Sequence, residues 1–314
     1  MNLFRSVGAI AGASSDGTVD WVAAAEAAKA ATSAGSIDLD PGEQEGYADD
    51  VRDARDGVRA VTGLDFDVPG TIEVQNRHHW IDANVRTFEE IMRPLESRRV
   101  FLPAVTVRVN SLTMATLLSF LANHVLGQYD PLLLAESDDH GLYFVRPNIL
   151  RISAELDVDY PRFRRWIAFH EVTHAAEFAA APWLSDYLET HLEDAVDDLS
   201  HGSFRPAGFA ELDQAMTAVE GYAEFVMDRA FDDRSDDLRA KVEARRRTGG
   251  PFSLLVRRLL GLGMKRRQYE RGRAFFEAVV ERKGMATAMR VWEDPGMLPT
   301  GTELDEPRQW LDRL

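Results

Sequence analysis

The sequence contains no cysteine among its 314 residues. This absence excludes disulfide bonds, thiolate zinc sites and iron–sulfur clusters, so a metal ion held by this chain would need histidine and carboxylate ligands. Long apolar runs are also lacking, and we expect no helix that spans a membrane. The first residues reach Ser and Asp after a short, weakly apolar run, unlike a secretory signal peptide. We therefore expect a cytoplasmic protein.

Lysine is scarce and acidic residues are in excess. The 36 basic and 52 acidic residues give a net charge of −16, and only four of the basic residues are lysines, which leaves 36 − 4 = 32 arginines. A surface of this sign repels phosphate backbones and anionic membranes, so neither nucleic acid nor a membrane is an expected partner. The composition favours a halophilic archaeon, where molar salt screens the self-repulsion. A GC-rich genome with many Arg and Ala codons is the alternative.

The chemistry of the chain is concentrated in residues 166–178, which read WIAFHEVTHAAEF. On a helix, residues four apart lie on one face, so His170 and His174 can bind one metal ion. Zinc held by two imidazoles accepts a third protein ligand and a water molecule, whose pKa it lowers to about 7. Glu171 would act as the general base. The motif predicts one Zn²⁺ per chain; in the alternative, the two histidines only form hydrogen bonds inside the core.

A column of carboxylates follows in a second apolar helical segment. Glu220, Glu224 and Asp228 recur every four residues, and like charges stacked at this spacing need a nearby cation. A divalent metal ion held by histidines would supply that cation. The alternative is that all three carboxylates lie on a solvated outer face.

The identity of the third ligand follows from a comparison of motif patterns. The pattern with a third histidine on the same segment is excluded, because it requires Gly and His where this chain has Glu177 and Ala180. The sequence EGYA at 220–223 is similar to the downstream helix of Glu-ligated zincins. This similarity makes Glu220 the predicted third ligand. Glu224, one turn later, would accept the other ring N–H of a ligand histidine, and an exchange of roles between Glu220 and Glu224 stays open.

The remaining sequence predicts mainly helices, with apolar residues at helical spacing. The predicted helices fall in 18–33, 47–61, 71–97, 112–126, 182–198, 212–231, 264–283 and 306–314. The best strand candidate is GLYFVRPNILRI at 141–152, with the apolar run 142–145 stopped by Pro147, and a proline beside a strand indicates a position at a sheet edge. No linker divides the chain. We expect an α+β, predominantly helical, single domain.

The order of these motifs resembles a known family. HEVTHAAEF is followed by APWL, EGYAEFVMD and LLGLGMKRRQYERGRAFFEAVV, and then by Leu298-Pro299-Thr300, Pro307 and Trp310. This order resembles the zincin-like metallopeptidase family of actinobacteria and archaea, whose members are labelled as hydrolases or as coenzyme F-420 biosynthesis-associated proteins. The resemblance covers about residues 75–314 and is loose before that. It implies a zincin-like catalytic domain of the Glu-ligated type over residues 1–314, in two lobes, with a small β-sheet near the cleft.

Two functions follow from the resemblance and the motif. The first is a zinc metallopeptidase, a hydrolase of peptide or amide bonds, with an oxyanion-stabilising donor to be found among Tyr222, Tyr269, His201 and Arg267. The alternative is a non-catalytic, metal-containing binding or assembly protein connected with deazaflavin coenzyme metabolism. The intact Glu171 favours the enzyme, because a binding site needs no base there. The sequence predicts neither the substrate, nor exo- or endo-specificity, nor the oligomeric state.

Overall fold

Helices make up most of the described chain. The computed structural model describes residues 17–96, 103–130, 141–200, 206–231, 235–247 and 266–314. The helices are α1 Trp21–Ala31, α2 Pro41–Thr62, α3 Arg77–Glu96, α4 Pro103–Ala122, α5 Arg146–Glu155, α6 Tyr160–Ala180, α7 Leu184–Ser200, α8 Pro206–Ala230, α9 Ser235–Arg247, α10 Arg266–Lys283, α11 Met285–Ala288, α12 Gly301–Asp305 and α13 Pro307–Asp312. Short 3₁₀ turns occupy Met289–Trp292 and Pro295–Met297. The strands are β1 Thr71–Gln75, β2 Gly127–Asp130 and β3 Gly141–Val145. The predicted α+β, predominantly helical class is confirmed.

Aspartates cap the helices on which the architecture depends. The Asp40 side chain accepts from the backbone N–H of Glu43, and Pro41 fills the first helical position, so α2 begins six residues before the predicted Tyr47. Asp159 caps α6 in the same way, by accepting from the backbone N–H of Arg162. These caps satisfy N–H groups that have no partner inside the helix.

The three strands form one small sheet in the order β1-β3-β2. β1 pairs with β3 in parallel and β2 pairs with β3 antiparallel. The strand predicted within 141–152 ends at Val145, and the prediction that it lies at an edge was wrong, since β3 is central. Pro147 lies beyond the strand, in the first turn of α5, where a missing N–H removes no hydrogen bond. The strand at the edge beside α6 is β2, in a stretch for which the sequence predicted neither a helix nor a strand.

Two hydrophobic clusters surround the sheet. The larger one joins α2, α5, α6, α8, α10 and the C-terminal turns around fully buried aromatic residues such as Phe163, Phe225 and Trp310. The smaller one joins α1, α3 and α4, and includes Trp80. Strand β3 contributes to both, since Leu142 and Phe144 belong to the larger cluster and Val145 to the smaller one. None of the described helices is both long and apolar enough to cross a bilayer.

A polar cluster fixes α2 against the beginning of α6. Arg164 binds Asp50 with an Nε to Oδ2 distance of 2.6 Å, and both side chains are buried. Next to this pair, Glu43 accepts two hydrogen bonds from Arg146, at 2.7 and 2.8 Å, and one from the Tyr160 hydroxyl at 2.6 Å. Hydrogen bonds to charged groups are about twice as strong as those between neutral groups. This cluster sets the position of the helix that carries His170 and His174.

Candidate metal centre

The two motif histidines lie on one face of α6, one turn apart. Their Nε2 atoms are 3.2 Å from each other, and both imidazoles are partly buried. A hydrogen bond between them would need one ring to donate, whereas a cation placed between two Nε2 lone pairs binds both rings at once. The pair is therefore arranged as metal ligands are.

Glu220 brings a carboxylate to the same point from α8. Its Oε2 lies 4.0 Å from His170 Nε2, and one ligand atom from each of His170, His174 and Glu220 lies within 4.8 Å of the others. Zinc bonds of about 2.0–2.1 Å in tetrahedral geometry place ligand atoms about 3.3 Å apart. The separation of 3.2 Å between the two histidines matches this value and the carboxylate lies within 4.8 Å of both, so the three side chains form a group that could hold a metal ion.

The position of Glu220 depends on a close helix crossing. A Cβ atom added to Gly221 would lie 2.4 Å from the backbone of Gly272 in α10, and one added to Gly272 would lie 2.1 Å from the carbonyl oxygen of Thr217. Only glycine allows backbones to approach this closely. Gly221 in the EGYA sequence therefore sets the distance between α8 and α10, and with it the place of the Glu220 carboxylate.

Glu171 lies beside the three candidate ligands and is 6% exposed. Its Oε2 accepts a hydrogen bond of 2.8 Å from the backbone N–H of Tyr129 in β2. Burial raises the pKa of Glu171 to about 7, and the charge of Glu220 acts in the same direction, while His174 and the Tyr129 N–H oppose it. A carboxyl group held at this point can accept and return a proton, which is what a general base and acid requires.

A carboxylate that the sequence reasoning did not assign holds the second nitrogen of His174. Glu177 is fully buried, and its Oε2 lies 2.7 Å from His174 Nδ1. Metal-binding histidines usually donate their other N–H to such an acceptor, which fixes the tautomer and the ring orientation. The sequence indicates this role of Glu177 only through spacing, because Glu177 follows His174 by three residues on the same helix, one turn away. Glu177 already accepts the ring N–H of His174. The prediction that Glu224 accepts the ring N–H of a ligand histidine therefore remains a proposal for His170.

The electrostatics around His174 favour a positive charge. Burial lowers the pKa of His174, but Glu177, Glu220 and Glu171 together raise it by more, to about 9. Burial raises the pKa of Glu177 to about 7, and its Oε1 has no hydrogen-bond partner among the described residues. Three carboxylates around one imidazole attract either a proton or a metal cation.

The last carboxylate of the column has partners of a different kind. Asp228 forms ion pairs with Arg239 from α9 and with Arg273 from α10, the latter at 3.0 Å. The expectation that a metal ion neutralises these carboxylates therefore applies at most to Glu220 and Glu224. Two guanidinium groups neutralise the last one and tie three helices together.

The predicted oxyanion donors are not found at the site among the described side chains. Tyr222 is fully buried, and its hydroxyl donates to Met289 Sδ at 3.0 Å. Two residues from Glu220 on a helix, it points to nearly the opposite side, so its placement does not support a catalytic role. Tyr269 and Arg267 lie in α10, but their side chains are outside the described part, and His201 is outside the described residues.

Comparisons with known proteins identify the family of the chain. The chain matches the zincin-like metallopeptidase family over residues 19–206 and 203–311. It also resembles a solved structure from Chloroflexus aurantiacus, described as "a putative hydrolase with a novel fold", with 30% sequence identity, a TM-score of 0.74, and coverage of 100% of this chain and 98% of that one. No curated protein matches the sequence. From the family match over most of its length, the chain belongs to the zincin-like metallopeptidases.

Proposed function

We propose that this protein is a zinc-dependent hydrolase of peptide or amide bonds. His170, His174 and Glu220 would hold one Zn²⁺ per chain. The ion would supply Lewis-acid chemistry and an acidified water molecule at this point. Membership of a metallopeptidase family supports the reaction class, and the separations among the three side chains support zinc.

The observation that carries the proposal is the buried carboxyl group of Glu171 next to the three candidate metal ligands. Glu171 would accept a proton from the attacking water and later deliver it to the leaving amine. A site that only bound a metal ion would gain nothing from a buried acid held next to it. Tyr269 remains our candidate for stabilising the oxyanion.

Metal analysis tests the ligand set. Protein purified without a His tag should contain about one zinc per chain, the number that a single three-ligand site can hold. His170→Ala and Glu220→Gln should each lose the metal. If Glu224→Gln loses zinc and Glu220→Gln keeps it, the ligand assignment is reversed.

Substitution of the base tests the activity. Glu171→Gln should keep zinc and the fold but lose turnover by roughly 10² to 10⁴-fold, the usual contribution of a positioned proton acceptor. The assay should use a broad peptide and amide library, with zinc, at salt concentrations up to molar. Chelator-sensitive turnover that Glu171→Gln removes would establish the hydrolase. A folded, zinc-loaded wild type that cleaves nothing but binds a deazaflavin would favour the binding protein instead.

A further inference from the structure

Strand β2 meets the Glu171 side chain at two points. The Tyr129 N–H donates to Oε2 at 2.8 Å, and Gly127 lies directly against the same side chain. A Cβ atom built on Gly127 would lie 2.7 Å from both Cγ and Oε1 of Glu171. Real Cβ atoms essentially never make contacts below 3.0 Å. The volume that any other residue would fill at position 127 is thus occupied by the carboxyl group.

The glycine is not required by the backbone at this position. Positive φ angles are confined to Gly35, Gly63 and Gly284 among the described glycines, so Gly127 has a conformation open to alanine. Its pairing with Phe144 in the β2–β3 ladder would accept any residue. The contact with Glu171 is therefore the feature that a methyl group at position 127 would disturb.

Strand β2 is itself held from both sides. The Gln128 side chain accepts from Trp80 Nε1 at 2.8 Å and donates to Asn84 Oδ1 at 3.0 Å, both on α3. The Tyr129 ring packs on Phe178 of α6, with 5.4 Å between ring centroids. Because the strand is fixed to α3 and to α6, its N–H and its glycine have defined positions next to the motif helix.

We infer that β2 is a positioning strand for Glu171, with Gly127 leaving room for the carboxyl group and the Tyr129 N–H holding it. Without the contact, the carboxyl group could turn about its side-chain bonds and lose its alignment with the ligand group. This inference rests on the proposed function for its catalytic consequence. The placement of the carboxyl group can be tested without any turnover.

The test is a double-mutant cycle on thermal stability. Gly127→Ala should lower the melting temperature in the wild-type background. In a Glu171→Ala background the loss should disappear, because the atoms that the new methyl group meets are gone. Gly70→Ala is the matched control, since Gly70 has no neighbour within 4 Å of a built Cβ and no positive φ. An equal loss in both backgrounds, or no loss in either, would overturn the inference.

Zinc content and kinetics then test the catalytic consequence. Gly127→Ala should keep about one zinc per chain. Its kcat should fall by roughly 10²-fold with little change in KM, the size expected for a misplacement of about 1 Å. A variant that shows the stability coupling but keeps the wild-type kcat overturns the positioning role. If the wild type has no hydrolase activity, the proposed function fails, and the stability cycle alone decides whether β2 places the carboxyl group.

Discussion

Single side chains around His174 determine how well the site can hold a cation. Glu177 is the buried acceptor of the His174 Nδ1 group. Glu177→Ala should lower zinc affinity by roughly 10- to 100-fold, the usual loss when such an acceptor is removed. Competition with a chromogenic chelator measures the affinity, and Glu281→Ala, on the exposed face of α10, is the control. Equal affinities for Glu177→Ala and wild type would show that the contact does not orient the ligand.

Where a fixed spacing carried a residue-scale prediction, the structure brings the predicted side chains together. Helical periodicity alone brings His170 and His174 onto one face, and the structure adds Glu220. The same reasoning argues against Tyr222 as an oxyanion donor. On a helix, a side chain two residues after Glu220 points away from the Glu220 carboxylate. The contact of Glu171 with β2 joins segments 42 residues apart, and no local pattern predicts it.

At the scale of helices and strands, the crossing of α8 over α10 is the tightest constraint on the site. Gly272→Ala would push a methyl group against the Thr217 carbonyl. We expect a loss of about 1–3 kcal/mol in the free energy of unfolding, typical of overpacking. Zinc affinity should fall as well, because α8 carries Glu220. Thermal unfolding measures the stability and chelator competition measures the zinc affinity, with Gly70→Ala as control. If Gly272→Ala changes neither quantity, the helices separate without disturbing the site.

The attachment of α2 to α6 should depend on pH through Glu43. Burial raises its pKa, but the hydrogen bonds from Arg146 and Tyr160 and the Arg146 charge lower it by more, so the pKa lies below its ordinary value. Glu43 therefore stabilises the fold fully above the unfolded pKa of about 4.3, and this contribution is lost as the pH falls through the lower folded value.

Replacement of Glu43 tests this linkage. Glu43→Gln should cost roughly 1–3 kcal/mol in the free energy of unfolding at pH 7, as for other hydrogen bonds to charged groups. The difference from wild type should shrink as the pH is lowered below about 4. Denaturant titrations across this range measure it. Glu45→Gln, on the exposed side of α2, should match wild type throughout; a Glu43→Gln effect independent of pH would rule out the ionised carboxylate as its source.

Long helices and the apolar strand β3 were predictable, whereas the strands β1 and β2 were not. A helix such as α2 repeats its apolar spacing over several turns, so its period is clear. Strands β1 and β2 contain five and four residues, which is too short for alternation to be distinguished from chance. The edge position was wrongly assigned to β3 because Pro147 was taken to end a strand, whereas it begins a helix.

At the scale of the whole molecule, the net charge of −16 should make stability depend on salt. Repulsion among like surface charges opposes the compact state, and salt reduces the screening length from about 10 Å at 0.1 M to about 3 Å at 1 M. We expect the melting temperature to rise steadily from about 0.1 M to molar KCl. Circular dichroism measures it. A melting temperature that stays constant over this range would favour the genome-composition explanation of the acidic surface.

The order of strands in the sheet has a consequence for how the chain is made. Among the described residues, the two outer strands, β1 and β2, pair only with the central strand β3, which comes after both of them in the sequence. A ribosome that has synthesised residues 1–130 has therefore produced two strands whose common partner does not yet exist. Unpaired strand edges are surfaces on which other chains can add. Fragments that stop before Gly141 will consequently aggregate, and a truncated version of this protein must extend through Val145 to complete the sheet.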